Sequence, residues 1–296
     1  MTDDEGEDAG ERPRSAVLFT THRFGPVVAR RFRKLRQEAP SRWTVHLGMD
    51  VSAADPAEVE AAREAGGGRF WGFRGPEATD VDYPGPWALE HRPELVPGNL
   101  GLLYLHFARR HPGLDRFWIV EYDVCYTGDW AELLERFDRS PADVLGTTLR
   151  SHAERPGWHW WPSFEPSPEV PREAWLSGFF PIVRVSRPAL EALDAAYRGG
   201  WSGHVEAVLP TAARRAGLEI EDLGGDGPFV KEGNRDRFYT NTVEREHLYP
   251  GTFVYRPVRR FPGLRRGMLW HPVKPSAGRL SSHLDLAKAW IRAKLP

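Results

Sequence analysis

Between Ser15 and Val124 the chain alternates short β-branched apolar runs with stretches that read as helices, and this alternation constrains the fold most. SAVLFTT (15–21) is followed by a helical stretch from about Gly25 to Glu38. WTVHLGMD (43–50) precedes DPAEVEAAREAG (55–66), whose Asp-Pro start and Gly end are helix punctuation. GRFWGF (68–73) is a third strand; a Pro-rich loop, the helical NLGLLYLHFARRH (99–111) and the strand RFWIVEYDV (116–124) follow. Strand–helix–strand units on short loops predict a mainly parallel, Rossmann-like sheet flanked by helices. Ligands of such sheets gather at the carboxyl ends of the strands. Thr20-Thr21-His22, Asp50 and Glu121-x-Asp123 fall at those ends.

The second half is less regular. WAELLERF (130–137) reads as a helix and DVLGTTL (143–149) as a strand. WLSGFFPIVRVS (175–186) reads as a strand pair or one bent strand, with a helix over 187–198. GHVEAVLPTAARRAG (203–217) is a helical pattern that Pro210 would break or kink. LEIEDLGG is a short strand and turn, and 280–296 is a closing amphipathic helix. The acidic start, residues 1–14, predicts a disordered tail. With no internal repeat and no clean linker, residues 15–296 read as a single domain.

The strand at 116–124 poses a chemical problem. Its apolar run ends in Glu121-Tyr122-Asp123, two carboxylates that a strand's period of two would place on one side. Carboxylates that close resist ionising together unless a cation lies between them. Either the strand end is simply solvated, or the pair ligates a metal. The single cysteine, Cys125, excludes a disulfide framework or a cysteine-based zinc site, and reads as a small buried hydrophobe. A net charge of −1 and a pI near 6.8 give no basic excess for nucleic acid, although Arg259-Arg260 and Arg265-Arg266 are local basic pairs. No run approaches the ~18 apolar residues of a membrane span, and no secretory segment opens the chain, so a soluble, cytoplasmic protein is expected. Among 12 tryptophans, several crowd the Pro-rich GWHWWPSFEPSPEVP (157–171), where they would stack on sugar faces or fold down as a lid.

A hydrophobic strand ending in an acidic-x-Asp motif, about 100 residues after a strand–helix–strand start, resembles the GT-A fold of nucleotide-sugar-dependent glycosyltransferases. The family's DxD would here be Glu121-Tyr122-Asp123. GMLWHPVKP resembles the late His…Lys segment of metal-dependent members, with His271 completing a metal shell and Lys274 meeting phosphates. HVEAVLPTAARRAGLEI is similar to a helix of the inverting family that includes cellulose and hyaluronan synthases, and places Glu206 where that family's catalytic carboxylate falls. The family's membrane segments are absent. The His segment is of a retaining kind and Glu206 of an inverting kind; a base at Glu206 favours inversion.

The resemblance implies a nucleotide-binding half over 15–130 and an irregular acceptor- and metal-completing half over 131–279. Glu121, Asp123 and His271 would hold Mn²⁺ or Mg²⁺, since oxygen donors suit both and one imidazole favours Mn²⁺. Thr21, His22, Asp50 and Lys274 would meet the nucleoside-diphosphate sugar. Glu206 would be the base, and Trp158, Trp160, Trp161 and His204 would line the acceptor site, with Asp222 or Asp226 as a further acceptor contact. The acceptor would be a glycan, a lipid-linked or a small molecule, the activity that of a hexosyltransferase. Two other classes fit parts of the pattern: a non-enzymatic carbohydrate-binding protein and a metal-dependent phosphodiesterase or hydrolase. A nucleotidyltransferase would need a Gly-rich loop with a basic residue after the first strand, which TTHRFGP lacks.

Overall fold

The computed structural model describes residues 13–75, 83–84, 99–241 and 251–275. The expected closing helix, and all of the tail but its last two residues, lie outside them.

The first half follows the sequence pattern closely. β1 (Ser15–Thr21), α1 (Pro26–Glu38), β2 (Thr44–Asp50), α2 (Pro56–Gly66), β3 (Phe70–Phe73), α3 (Leu100–Arg110) and β4 (Arg116–Glu121) succeed one another in the expected order. Local chemistry explains the boundaries. Asp55 caps α2, its Oδ1 accepting from Ala57 N–H at 2.7 Å, and Pro56 occupies the first helical position, where a missing N–H costs nothing. α1 buries Val28, Phe32 and Leu35, one helical face. After a two-residue strand β5 (Cys125–Tyr126) come α4 (Trp130–Asp138), β6 (Val144–Gly146), β7 (Arg150–Ser151), β8 (Leu176–Ser177) and β9 (Ile182–Ser186). α5 (Arg187–Arg198), α6 (Val205–Arg215), β10 (Ile220–Asp222) and β11 (Leu269–Trp270) complete the described elements.

Seven strands form one sheet in the order β10-β6-β9-β4-β1-β2-β3. All neighbours are parallel except where β9 runs antiparallel between β4 and β6. Both faces are covered, which is why the strands read as continuous apolar runs. Val17, Phe19, Trp118 and Val120 pack with α1 and α4 on one side; Leu18, Phe117 and Ile119 pack with α3, α5 and α6 on the other. The observed architecture is thus an α/β fold with a mostly parallel sheet between two helical layers.

Four expectations need correction. β4 stops at Glu121 rather than Val124, because Val124 N–H closes a turn onto Glu121 C=O at 3.0 Å. The strand expected over 143–149 ends at Gly146, since Thr148 takes φ 52°, left-handed backbone that no strand can carry. Residues 175–186 are two strands in different sheets: β8 pairs with β7, and β9 joins the main sheet. Pro210 does not break α6. The carbonyl it leaves without a helical donor, that of Glu206, accepts instead from Gly178 N–H at 2.9 Å. β9 also buries an arginine: Arg184, 1% exposed, donates to the carbonyls of Phe137, Ser140 and Ala142.

Candidate functional site

The strand register brings the polar strand ends to one edge. Thr20 lies beside Glu121, Thr21 beside Met49, and Tyr122 N–H donates to Thr20 C=O at 2.9 Å. Because β9 enters antiparallel, its start belongs to the same edge, and Glu121 N–H donates to Pro181 C=O at 2.8 Å.

Asp123 reaches this edge through the turn that ends β4, not through strand alternation. What places His271 opposite it is a short ladder: β5 pairs antiparallel with β11, Cys125 facing Trp270 and Tyr126 facing Leu269. Val273 N–H then donates to Asp123 C=O at 2.9 Å. Arg31 of α1 clamps the two segments together, one guanidinium nitrogen donating to Tyr122 C=O at 3.0 Å and to Val273 C=O at 2.6 Å. No sequence signal singled out Arg31, which lies among Arg30, Arg33 and Arg36 on an amphipathic helix.

Glu121, Asp123 and His271 each offer a ligand atom, all within 4.8 Å of one another. That spread is close to the ~4.2 Å between opposite ligands of an octahedral Mg²⁺. His271 Nδ1 lies 3.0 Å from Val254 C=O, an acceptor, so Nδ1 carries a proton and Nε2 is the nitrogen turned toward Asp123. Nε2 faces Asp123 Oδ1 at 3.4 Å, and that oxygen is buried without a hydrogen-bond partner. A proton on Nε2 or a divalent ion held between the two atoms would satisfy both. The residues therefore fit a divalent ion with oxygen and imidazole donors. Lys274 Nζ lies 3.3 Å from Asp123 Oδ2 and is partly exposed, so it presents charge to whatever occupies the edge.

The electrostatics separate the two carboxylates. Burial alone would raise Asp123, but His271 and Lys274 outweigh it and hold the carboxyl below the ordinary range. Burial and the neighbouring Asp123 charge push Glu121 well above it. Environments that drive two neighbouring carboxyls apart make them candidates for a functional site.

Glu206 stands in the first turn of α6, capped by His204, whose Nδ1 accepts from Glu206 N–H at 3.3 Å. Glu206 Oε1 accepts from Phe180 N–H at 2.7 Å, which points the carboxylate to the β9 side of the edge. Burial raises its pKa to about 7, against the pull of Phe180 N–H and Arg155. Its charge acts on Glu121, so the two lie in one electrostatic neighbourhood.

The remaining expected residues divide. His22 packs edge-on against the Tyr122 ring at 4.9 Å, beside the acidic turn. Thr21 is buried and its hydroxyl closes a local turn with Arg23. Asp50 caps the turn after β2, Oδ1 accepting from Ser52 N–H at 2.9 Å. Trp160 is partly buried and stacks on His204 at 4.9 Å. Trp158 and Trp161 are buried in the α3–α5–α6 core, edge-to-face at 4.8 Å, so their faces serve packing rather than an open acceptor surface. Burial holds the His204 ring down near a pKa of about 3, so it stays neutral. Asp222 cannot be an acceptor contact: it is fully buried, accepting from Tyr239 Oη, Gly224 N–H and Leu149 N–H. Asp226 pairs with Arg150.

No protein-family model matches the chain, and no curated protein does. Among solved structures, one titled as a glucose-1-phosphate thymidylyltransferase from Bacillus anthracis, in complex with a sucrose, is similar over 71% of this chain and 86% of that one. The identity is 11% and the TM-score 0.39. So loose a likeness says nothing about chemistry. None of the described helices is long and apolar enough to cross a membrane.

Proposed function

We propose that this chain is a divalent-cation-dependent glycosyltransferase of the GT-A kind, moving a hexose from a nucleoside-diphosphate sugar to a hydroxyl acceptor. The observation that supports this most is the convergence of Glu121, Asp123 and His271 around an unpartnered buried carboxylate oxygen at the carboxyl edge of a parallel sheet.

Asp123 Oδ1, His271 Nε2 and a Glu121 oxygen would hold Mn²⁺ or Mg²⁺. Once bound, the ion would supply Lewis-acid neutralisation of charge on the leaving diphosphate. Lys274 adds a fixed positive charge at the same place. Thr21, His22 and Asp50 lie on the β1–β2 side, where the nucleoside would sit, and Lys274 would meet its phosphates. Trp160 and His204 would face the acceptor.

Glu206 takes the acceptor's proton. Its Oε1 is held by Phe180 N–H, and Oε2 receives the hydroxyl hydrogen as the acceptor oxygen bonds to the anomeric carbon. The bond from that carbon to the phosphate oxygen breaks, and its electron pair leaves with the nucleoside diphosphate. Base and leaving group on opposite faces give inversion. A carboxyl with a pKa of about 7 suits this work near neutral pH.

The test is calorimetric titration of UDP, GDP and their sugars with Mn²⁺ or with EDTA, on the wild type and on Asp123→Asn. Binding of one nucleotide that needs the metal and is lost in the variant is the expected result. Absence of any nucleotide binding with metal present would overturn the reading and leave a hydrolase or a carbohydrate-binding protein.

A further inference from the structure

Among the described residues four large apolar side chains stand exposed, and three of them, Tyr255, Phe261 and Leu264, fall in one loop. Phe261 is 65% exposed and Leu264 100%. The same loop is strongly basic. From Tyr255 to Pro275 the chain carries Arg256, Arg259, Arg260, Arg265, Arg266 and Lys274 and no acidic residue, although its overall net charge is −1.

The loop is held in place, which makes the exposure a property of its shape. Gly263 packs so close to Trp270 that a Cβ there would run into the indole. Thr127 Oγ1 donates to Arg265 C=O at 2.7 Å. Arg259 turns inward, its guanidinium over Trp270 at 5.0 Å and donating to Gly251 C=O at 3.1 Å. Arg256, Arg260, Arg265 and Arg266 remain on the outside with Phe261 and Leu264. At its start Tyr255 lies 6.4 Å, ring to ring, from His159 beside Trp160; at its end it runs through β11 into His271.

An exposed aromatic and an exposed aliphatic tip flanked in the chain by exposed arginines, Arg260 lying over the Phe261 ring at 5.7 Å, are complementary to one kind of surface. Apolar tips gain by passing below lipid headgroups, and the arginines keep their heads at the phosphates while their stems cover apolar area. A nucleic acid would use the arginines but would leave Leu264 in water. We propose that the loop over 255–266 docks the protein peripherally on anionic lipid bilayers, with Phe261 and Leu264 entering the headgroup region and the outer arginines meeting lipid phosphates. This stands independently of the chemistry at the edge of the sheet.

Sedimentation of the full chain with vesicles tests it, using phosphatidylcholine alone and phosphatidylcholine with phosphatidylserine at about three to one. The wild type should bind only the anionic vesicles, and less as salt is raised. Phe261→Ser with Leu264→Ser should weaken partitioning by about tenfold or more. Arg260→Gln and Arg266→Gln should each weaken it by about fivefold. Melting temperatures equal to wild type would establish that these surface variants fold. Equal partitioning to both vesicle types, no partitioning at all, or wild-type partitioning by the Phe261/Leu264 variant would overturn the proposal, as would binding to polyuridylate without binding to vesicles.

Discussion

Asp123 and Glu206 are buried carboxylates to which the proposed function gives different tasks, and single substitutions separate them. Asp123→Asn replaces an oxygen facing His271 Nε2 with a group that cannot ligate well, so Mn²⁺ affinity by calorimetry should fall by about tenfold or more. Glu206→Gln keeps the Phe180 N–H contact but removes the base, and turnover should drop by about 10²–10⁴-fold. The pH profile gives a second check. A base must be ionised, and the Glu206 carboxyl, raised to about 7 by burial, holds its proton below that value. kcat/KM should therefore rise about tenfold per pH unit up to near 7 and then level off; in Glu206→Gln this limb should vanish. At this scale the acidic end of a buried strand pointed to Glu121 and Asp123, and only a family resemblance of GMLWHPVKP pointed to His271. It could not reveal that Trp158 and Trp161 are buried, because an aromatic looks the same whether its face meets a sugar or a neighbouring indole.

The elements that build the site are short, and their pairing carries the geometry. β5 and β11 are two residues each, yet their ladder brings His271 to Asp123 across more than a hundred residues of chain. Arg31 reinforces that ladder from α1. Arg31→Met would leave the Tyr122 and Val273 carbonyls without their donor, costing about 1–3 kcal/mol in chemical denaturation and loosening Mn²⁺ by about tenfold. A structural role alone would lower stability and leave the metal affinity of the folded protein unchanged. The longer elements were legible because each repeats a pattern: β1 and α5 fall at the expected residues. β5, β7 and β11 were not, since two residues have no period, and β8 was read only as part of a strand pair or bent strand over 175–186.

At the scale of the whole molecule, ligand binding should report through stability. An ion that binds only the folded chain stabilises it by about 2.7 kcal/mol at a hundredfold excess over its dissociation constant, so Mn²⁺ should raise the melting temperature by several degrees. EDTA should abolish the rise, and Asp123→Asn should lack it. The sequence by itself determined the α/β architecture, because apolar runs covered on both faces and helices with one apolar stripe can satisfy their burial in few other ways. It also pointed to the carboxyl edge as the place where a ligand of such a sheet would gather. Only the tertiary structure decided that β9 runs antiparallel with a buried arginine, that Glu206 is held by the chain entering that strand, and that one oxygen of Asp123 faces His271 Nε2. Those facts depend on contacts between segments far apart in the chain. Local periodicity records which face of a segment is buried; it does not record against what.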